Sequence, residues 1–213
     1  MLTTTLLDIE NQIGDQSPGT NDCLTRLRAG LAELHPDGIT ESTPLPYALI
    51  LDVCDLEHAI WACCAAPQDN HAWRAYAFEC IRQIEDLLSD PRSLAALATG
   101  ERFLAGQVTE QELSDAIVSA SQVHANVYLD TGKIDAATHA AAAVTFSLLP
   151  EIHWTLAVVV NAVLSACADP ARRKAQHAWM KRAFLARVGS PSRFDSVWEA
   201  LEMPDASSVS DAS

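Results

Sequence analysis

Within "DLEHAIWACCAAP", residues 55–67, the side chains Glu57, His58, Cys63 and Cys64 fall inside eight positions of one another. Imidazole and thiolate are the groups that ligate zinc, or that pair as base and nucleophile. Helical phasing separates them. Leu56, Ala59 or Ile60, and Cys63 recur at three-to-four spacing, which puts Cys63 on an apolar face and Cys64 about 100° around the axis. Cys54 and His58 lie four apart, but Asp55 between them caps a new helix. Zinc asks for four ligands, commonly in close pairs such as C-x2-C and H-x3-H, and no second pair follows. The expectation is core packing, with the cysteines acting as small hydrophobes.

Other candidate motifs weaken on the same inspection. "LDTG", residues 129–132, matches the Asp-Thr-Gly of aspartic proteases, yet that chemistry needs two carboxylates sharing a proton. A single copy follows a helical run, so Gly132 reads as a helix stop. "TGK", ending at Lys133, lacks the GxxxxGK spacing and preceding strand of a phosphate loop. The seven histidines, His35, His58, His71, His124, His139, His153 and His177, never fall at HxxxH spacing, and no GxSxG turn occurs. The sequence therefore nominates no catalytic residue, no metal ligand set and no cofactor, although a site assembled from distant residues would leave no motif.

The elements that would position any site are helical. Leu24, Leu27, Leu31 and Leu34 form a stripe in "TNDCLTRLRAGLAELH", and "TPLPYALILDV" places Pro46 in a first helical turn. In "NHAWRAYAFECIRQIEDLLSD" the stripe is Trp73, Ala77, Cys80, Ile81, Ile84, Leu87 and Leu88. Two further helices are punctuated at both ends, by Asp90, Pro91 and Gly106, and by Asp169, Pro170 and Gly189. Between them, Thr109 and Glu112 make a capping box for a helix ending at Gly132. Residues 136–168 carry one formal charge, Glu151. The uncharged run Ile152 to Ala168 approaches the length that spans a bilayer of roughly 30 Å. Pro150 and Glu151 split the segment, His153 and Asn161 interrupt it, and no aromatic or basic anchors flank it, so a buried central helix pair is expected.

Charge narrows the partners. With 28 acidic against 14 basic residues the net charge is −14, a field that repels phosphate backbones and anionic headgroups. No nucleic acid and no membrane are expected as partners. Residues 172–187 reverse the sign, with Arg172, Arg173, Lys174, Lys181, Arg182 and Arg187 and no acid. That basic helix either docks on an acidic partner or lies against the acidic body of its own fold. The N-terminus "MLTTTLLDIENQIGDQ" has no basic residue before its short apolar run, so a cytoplasmic location and reduced thiols on all six cysteines are expected.

The middle of the chain, "DLEHAIWACCAAPQDNHAWRAYAFECIRQIEDLLSDPRSLAALATGERFLAGQVTEQELSDA", resembles a group of alanine-rich helical proteins of phages, prophages and bacteria that carry an immunity-protein label. The likeness spans residues 44–115. It rests on Ala59 and Trp61, on an Arg-x-x-Ala-x-x-Cys-x-Arg-Gln helix at Arg74, Ala77, Cys80, Arg82 and Gln83, on Asp90 to Ser93, on Glu101 and Arg102, and on Gly106, Thr109, Glu112 and Leu113. The family's C-terminal half is a low-complexity alanine and tryptophan array. Residues 116–171 here are more varied and apolar, which implies a fuller core. Within the match, Arg82, Arg92, Glu101 and Arg102 are the polar residues least explained by caps. They would fix helix hairpins as ion pairs or present a binding surface.

The resulting expectation is an all-α, compact multi-helix bundle of about nine or ten helices with helical hairpins. Residues 1–43 would pack as helices on a main domain of residues 44–189, and residues 190–213 would form a short helix and a frayed acidic tail. The implied function is non-catalytic: an immunity-like or regulatory protein that occludes an unidentified protein partner stoichiometrically. The alternatives are a small-molecule enzyme with a pocket between helices and an acidic mimic of nucleic acid.

Overall fold

The structure, a computed structural model, describes residues 3–5, 25, 28–29, 44–46, 50–51, 56, 59–60 and 70–188. Within them the chain is an all-α bundle of six helices: α1 Asn70–Arg82, α2 Pro91–Leu104, α3 Glu110–Thr131, α4 Ala136–Ser147, α5 Ile152–Ala166 and α6 Pro170–Val188. Thr25, Arg28, Ala29, Ile50, Leu51, Leu56, Ala59 and Ile60 are also helical.

Capping chemistry writes most boundaries. Asp90 accepts the Arg92 N–H at 2.8 Å and Pro91 opens α2. At its far end Gly106, at φ +68°, donates to the Phe103 carbonyl and Gln107 to that of Arg102, a Schellman closure. Thr109 and Glu112 form the reciprocal capping box of α3, and Gly132, in left-handed conformation, ends it. "LDTG" is thus a helix C-terminus. Asp135 caps α4 and Asp169 caps α6.

α4 is the centre. None of its twelve residues is exposed, and it packs against α1, α2, α3 and α5. A helix apolar on every side has to be enclosed, and its alanines let neighbours approach closely. Its hydroxyls turn inward to the backbone, Thr145 to Ala141, Ser147 to Val144 and Thr138 to Lys133. Pro150 and Glu151 break the apolar run, and α5 folds back antiparallel over 15 residues. Among the described residues no helix is long and apolar enough to cross a membrane. One continuous core runs from Ile50 to Val188 and includes Leu56, Ala59 and Ile60. The opening stretch therefore buries the face its phasing marked, while Cys54, Glu57, His58, Cys63 and Cys64 lie outside the described residues.

Three expectations change or fall away. Pro46 does not start a helix: Pro44–Pro46 is a short strand paired antiparallel with Thr3–Thr5, Thr4 opposite Leu45. Pro44 and Pro46 share one strand phase, so their missing N–H groups fall on one side, which an edge strand tolerates. The helix from Asn70 also stops at Arg82, sooner than its stripe suggests. There Ile84 and Leu87 donate to Ile81 and Ile84, and the tighter 3-10 turn Glu85–Leu87 leads into α2 with Ile84 and Leu88 still buried. The leucine stripe of residues 24–34, Gly189 and residues 190–213 lie outside the described residues.

Gly100 leaves room for two core side chains. A Cβ there would meet Phe78 Cζ at 2.5 Å and Leu148 Cδ2 at 2.6 Å, both on buried side chains. Gly100→Val is expected to destabilise by about 1–3 kcal/mol through overpacking, read as a lowered urea midpoint at unchanged slope.

Candidate functional site

The four polar residues singled out from sequence separate into two groups around α2. Nine helical positions are half a turn out of phase, so Arg92 and Glu101 leave opposite sides of the helix. Glu101 faces α1 and receives Arg82 in a forked pair, Nε to Oε1 at 2.8 Å and Nη2 to Oε2 at 2.5 Å. Arg82 also donates to Glu85 at 2.8 Å, and these two carboxylates raise its pKa. The pair joins α1 to α2 across the loop between them. Arg92 folds back on Asp90, its own cap, at 2.7 Å.

Arg102 is different: among the described residues it makes no ion pair. It lines an open groove of about 310 Å³ between α2 and α3, with Arg92 and Thr99 on one wall, Glu112, Asp115 and Ser119 on the other, and Ala95, Ala96 and Ala116 between them. The Glu112 carboxylate titrates below its ordinary range because the Thr109 N–H and hydroxyl bond it, with Arg102 adding through space. The groove thus presents cations facing anions over a small-residue floor. A second groove of about 270 Å³ lies between α1, α2 and α6, walled by Ala75, Phe78, Leu104 and Trp179 and rimmed by Glu79, Arg82, Gln83 and Glu101.

The basic helix α6 lies in cis. Arg172 forks onto Asp86 with a further bond to the Gln83 carbonyl, and Arg187 reaches Glu79. Between these ends, Tyr76 donates to the Met180 carbonyl at 3.1 Å and Trp73 stacks on Phe184 at 5.6 Å. The Arg172 bond holds Asp86 below its usual carboxylate range. Arg173, Lys174 and Arg182 stay exposed, and Arg173 donates to the Cys167 carbonyl at 3.1 Å.

Sequence reasoning missed Arg74. It is 6% exposed, donates to the carbonyls of Leu149 at 2.6 Å and Pro150 at 3.0 Å, and lies over the Phe103 ring. Among the described residues its Nε finds no acceptor, and burial lowers its pKa. Its targets lie 75 and 76 residues away, so the sequence marked Arg74 only as part of the Arg-x-x-Ala-x-x-Cys-x-Arg-Gln pattern and gave it no role.

Among the described residues sulfur and imidazole form no metal-binding cluster. Cys80 and Cys167 are buried and free, and desolvation pushes the Cys80 thiol up to about 12, which leaves it protonated at neutral pH. Among the described residues no three His, Cys, Asp or Glu side chains gather as metal ligands. Compared with known proteins, the chain matches no family model, and no curated protein or solved structure is significantly similar to it.

Two measurements check this electrostatics. A double-mutant cycle of Arg82→Ala and Glu101→Ala is expected to give a coupling of about 0.5–1 kcal/mol that shrinks in high salt, since both side chains are one-third exposed. His124, edge-on to Phe146, has its pKa lowered from 6.5 by desolvation and then by His139. The unfolded chain therefore binds this proton more readily. Stability is expected to fall as pH drops through 6.5 toward the lower folded value, and His124→Asn to flatten that slope in urea titrations.

Proposed function

We propose that the protein works by binding another protein, as an immunity-like or regulatory chain that occludes its partner one to one. The observation that carries this reading is the α2–α3 groove, where Arg92 and Arg102 oppose Glu112 and Asp115 in an open trough. An open trough covers a small molecule on one side only, whereas small-molecule pockets bury most of their ligand's surface. A protein segment can lie along such a trough and match alternating charge, which gives register and specificity more than raw affinity. The acidic excess of the chain adds attraction for a basic surface. The resemblance of residues 44–115 to proteins with an immunity label points the same way and includes Arg102 and Glu112.

The test is affinity capture from the host, followed by titration calorimetry with the purified partner. Expected is a one-to-one complex with Kd at or below about 1 µM, weakened at least tenfold, about 1.4 kcal/mol, by Arg102→Glu at unchanged thermal stability. No partner at micromolar concentration, or a complex indifferent to Arg102→Glu, defeats the reading. Capture of a small metabolite turned over by the chain would select the enzyme alternative.

A further inference from the structure

α3 is the longest of the six helices, and it packs chiefly on α2 and α4 through Leu113, Ala116, Ala120 and Val123. Turned about 160° from that buried face, Gln111, Asp115, Val118, Gln122, Ala125 and Leu129 are all exposed. Their spacing alternates four residues and three, the heptad stripe by which one helix packs along another. Apolar exposure gathers on the same helix. Among the described residues five large apolar side chains face solvent, and four of them, Val118, Tyr128, Leu129 and Ile134, lie on α3 or within three residues of its end. Leu129 is 74% and Ile134 67% exposed, more than an isolated surface leucine or isoleucine needs to be.

The crest is complementary to itself. When α3 is set end for end against a copy of itself, the register that brings Val118 against Leu129 of the second copy also brings Gln122 against its Ala125, and two-fold symmetry repeats both contacts. These are the alternating layers of an antiparallel helix pair. Charge agrees with that register: Asp115, to which Gln111 Nε2 donates at 2.9 Å, comes level with the Gly132 end of the opposite α3, beside exposed Lys133. A parallel pairing would instead oppose Asp115 to Asp115, with like charges in contact.

We propose that the α3 crest is a homodimer interface. Two copies of this chain pair antiparallel about a two-fold axis between Gln122 and Ala125, with Val118 packed on Leu129 across it and Asp115 facing Lys133 at each end. Of the crest residues Asp115 alone also lines the α2–α3 trough, and the inference does not depend on the partner-binding reading of that trough. One helix against one helix is a small interface, so the expected dissociation constant is about 10–100 µM.

Analytical ultracentrifugation of the full chain alone, from about 5 to 500 µM, tests it. The average mass is expected to rise with concentration from one chain toward two. Leu129→Asp and Val118→Asp are each expected to weaken self-association at least tenfold at unchanged thermal stability, because both positions are exposed. Asp115→Lys and Lys133→Asp each weaken it as well, and the two combined in one chain restore it, a rescue that a purely local role for either residue would not produce. Should an aspartate variant lose helical far-UV signal, Ala125→Arg at the two-fold axis repeats the test. A chain that stays monomeric through this range overturns the proposal, and so does a dimer indifferent to both Leu129→Asp and Val118→Asp. A dimer that the combined charge exchange fails to restore overturns the antiparallel register.

Discussion

Enclosure of α4 is the constraint from which the rest of the bundle follows. A twelve-residue helix with no exposed position cannot lie at a surface, so other helices must cover it on every side. α3 and α5 reach it through the short connections 132–135 and 148–151, and α1 and α2 close the remainder. Its alanines let neighbours approach, and Gly100 of α2 leaves room for Phe78 and Leu148. Helix enclosure of this kind leaves few polar atoms inside, and α4 satisfies its own hydroxyls on backbone carbonyls.

Three arginines join parts of the chain that are remote in sequence. Arg74 ties α1 to the two carbonyls at the α4–α5 turn, where the C-terminal end of α4 offers acceptors. Arg172 and Arg187 fasten opposite ends of α6 to acids of the α1 region. The contrast between the basic stretch of residues 172–187 and the acidic chain before it is thereby partly resolved within the molecule. Exposed pairs of this sort each contribute only about 0–1 kcal/mol, so they orient α6 more than they hold it, and the stack of Trp73, Tyr76 and Phe184 supplies the burial.

What could be read in the sequence was local. Asp90, Thr109, Gly132 and Asp169 each act within four residues of themselves, and their helix ends fall where spacing places them. The enclosed hairpin was equally plain, because Pro150 divides a run with one charge. Pro46 was misread because its strand partner, Thr3, lies some forty residues upstream, where no periodicity could signal it. Arg82 and Glu101 share a groove while Arg92 and Arg102 share another; phasing along α2 held that division, but the partner of Glu101 sits on α1. The role of Arg74 depends on a turn far along the chain and left no local trace.

The connectivity of the bundle also orders its assembly in time. From Pro91 to Ala166 each helix packs on its successor through a connection of a few residues, so those hairpins close with little loop entropy. The α1–α6 seam, by contrast, joins residues separated by 86 to 108 positions. That seam cannot form until α6 has left the ribosome. Until then Trp73 and Tyr76 of α1 wait uncovered by Phe184, beside a scaffold already closed from Pro91 to Ala166.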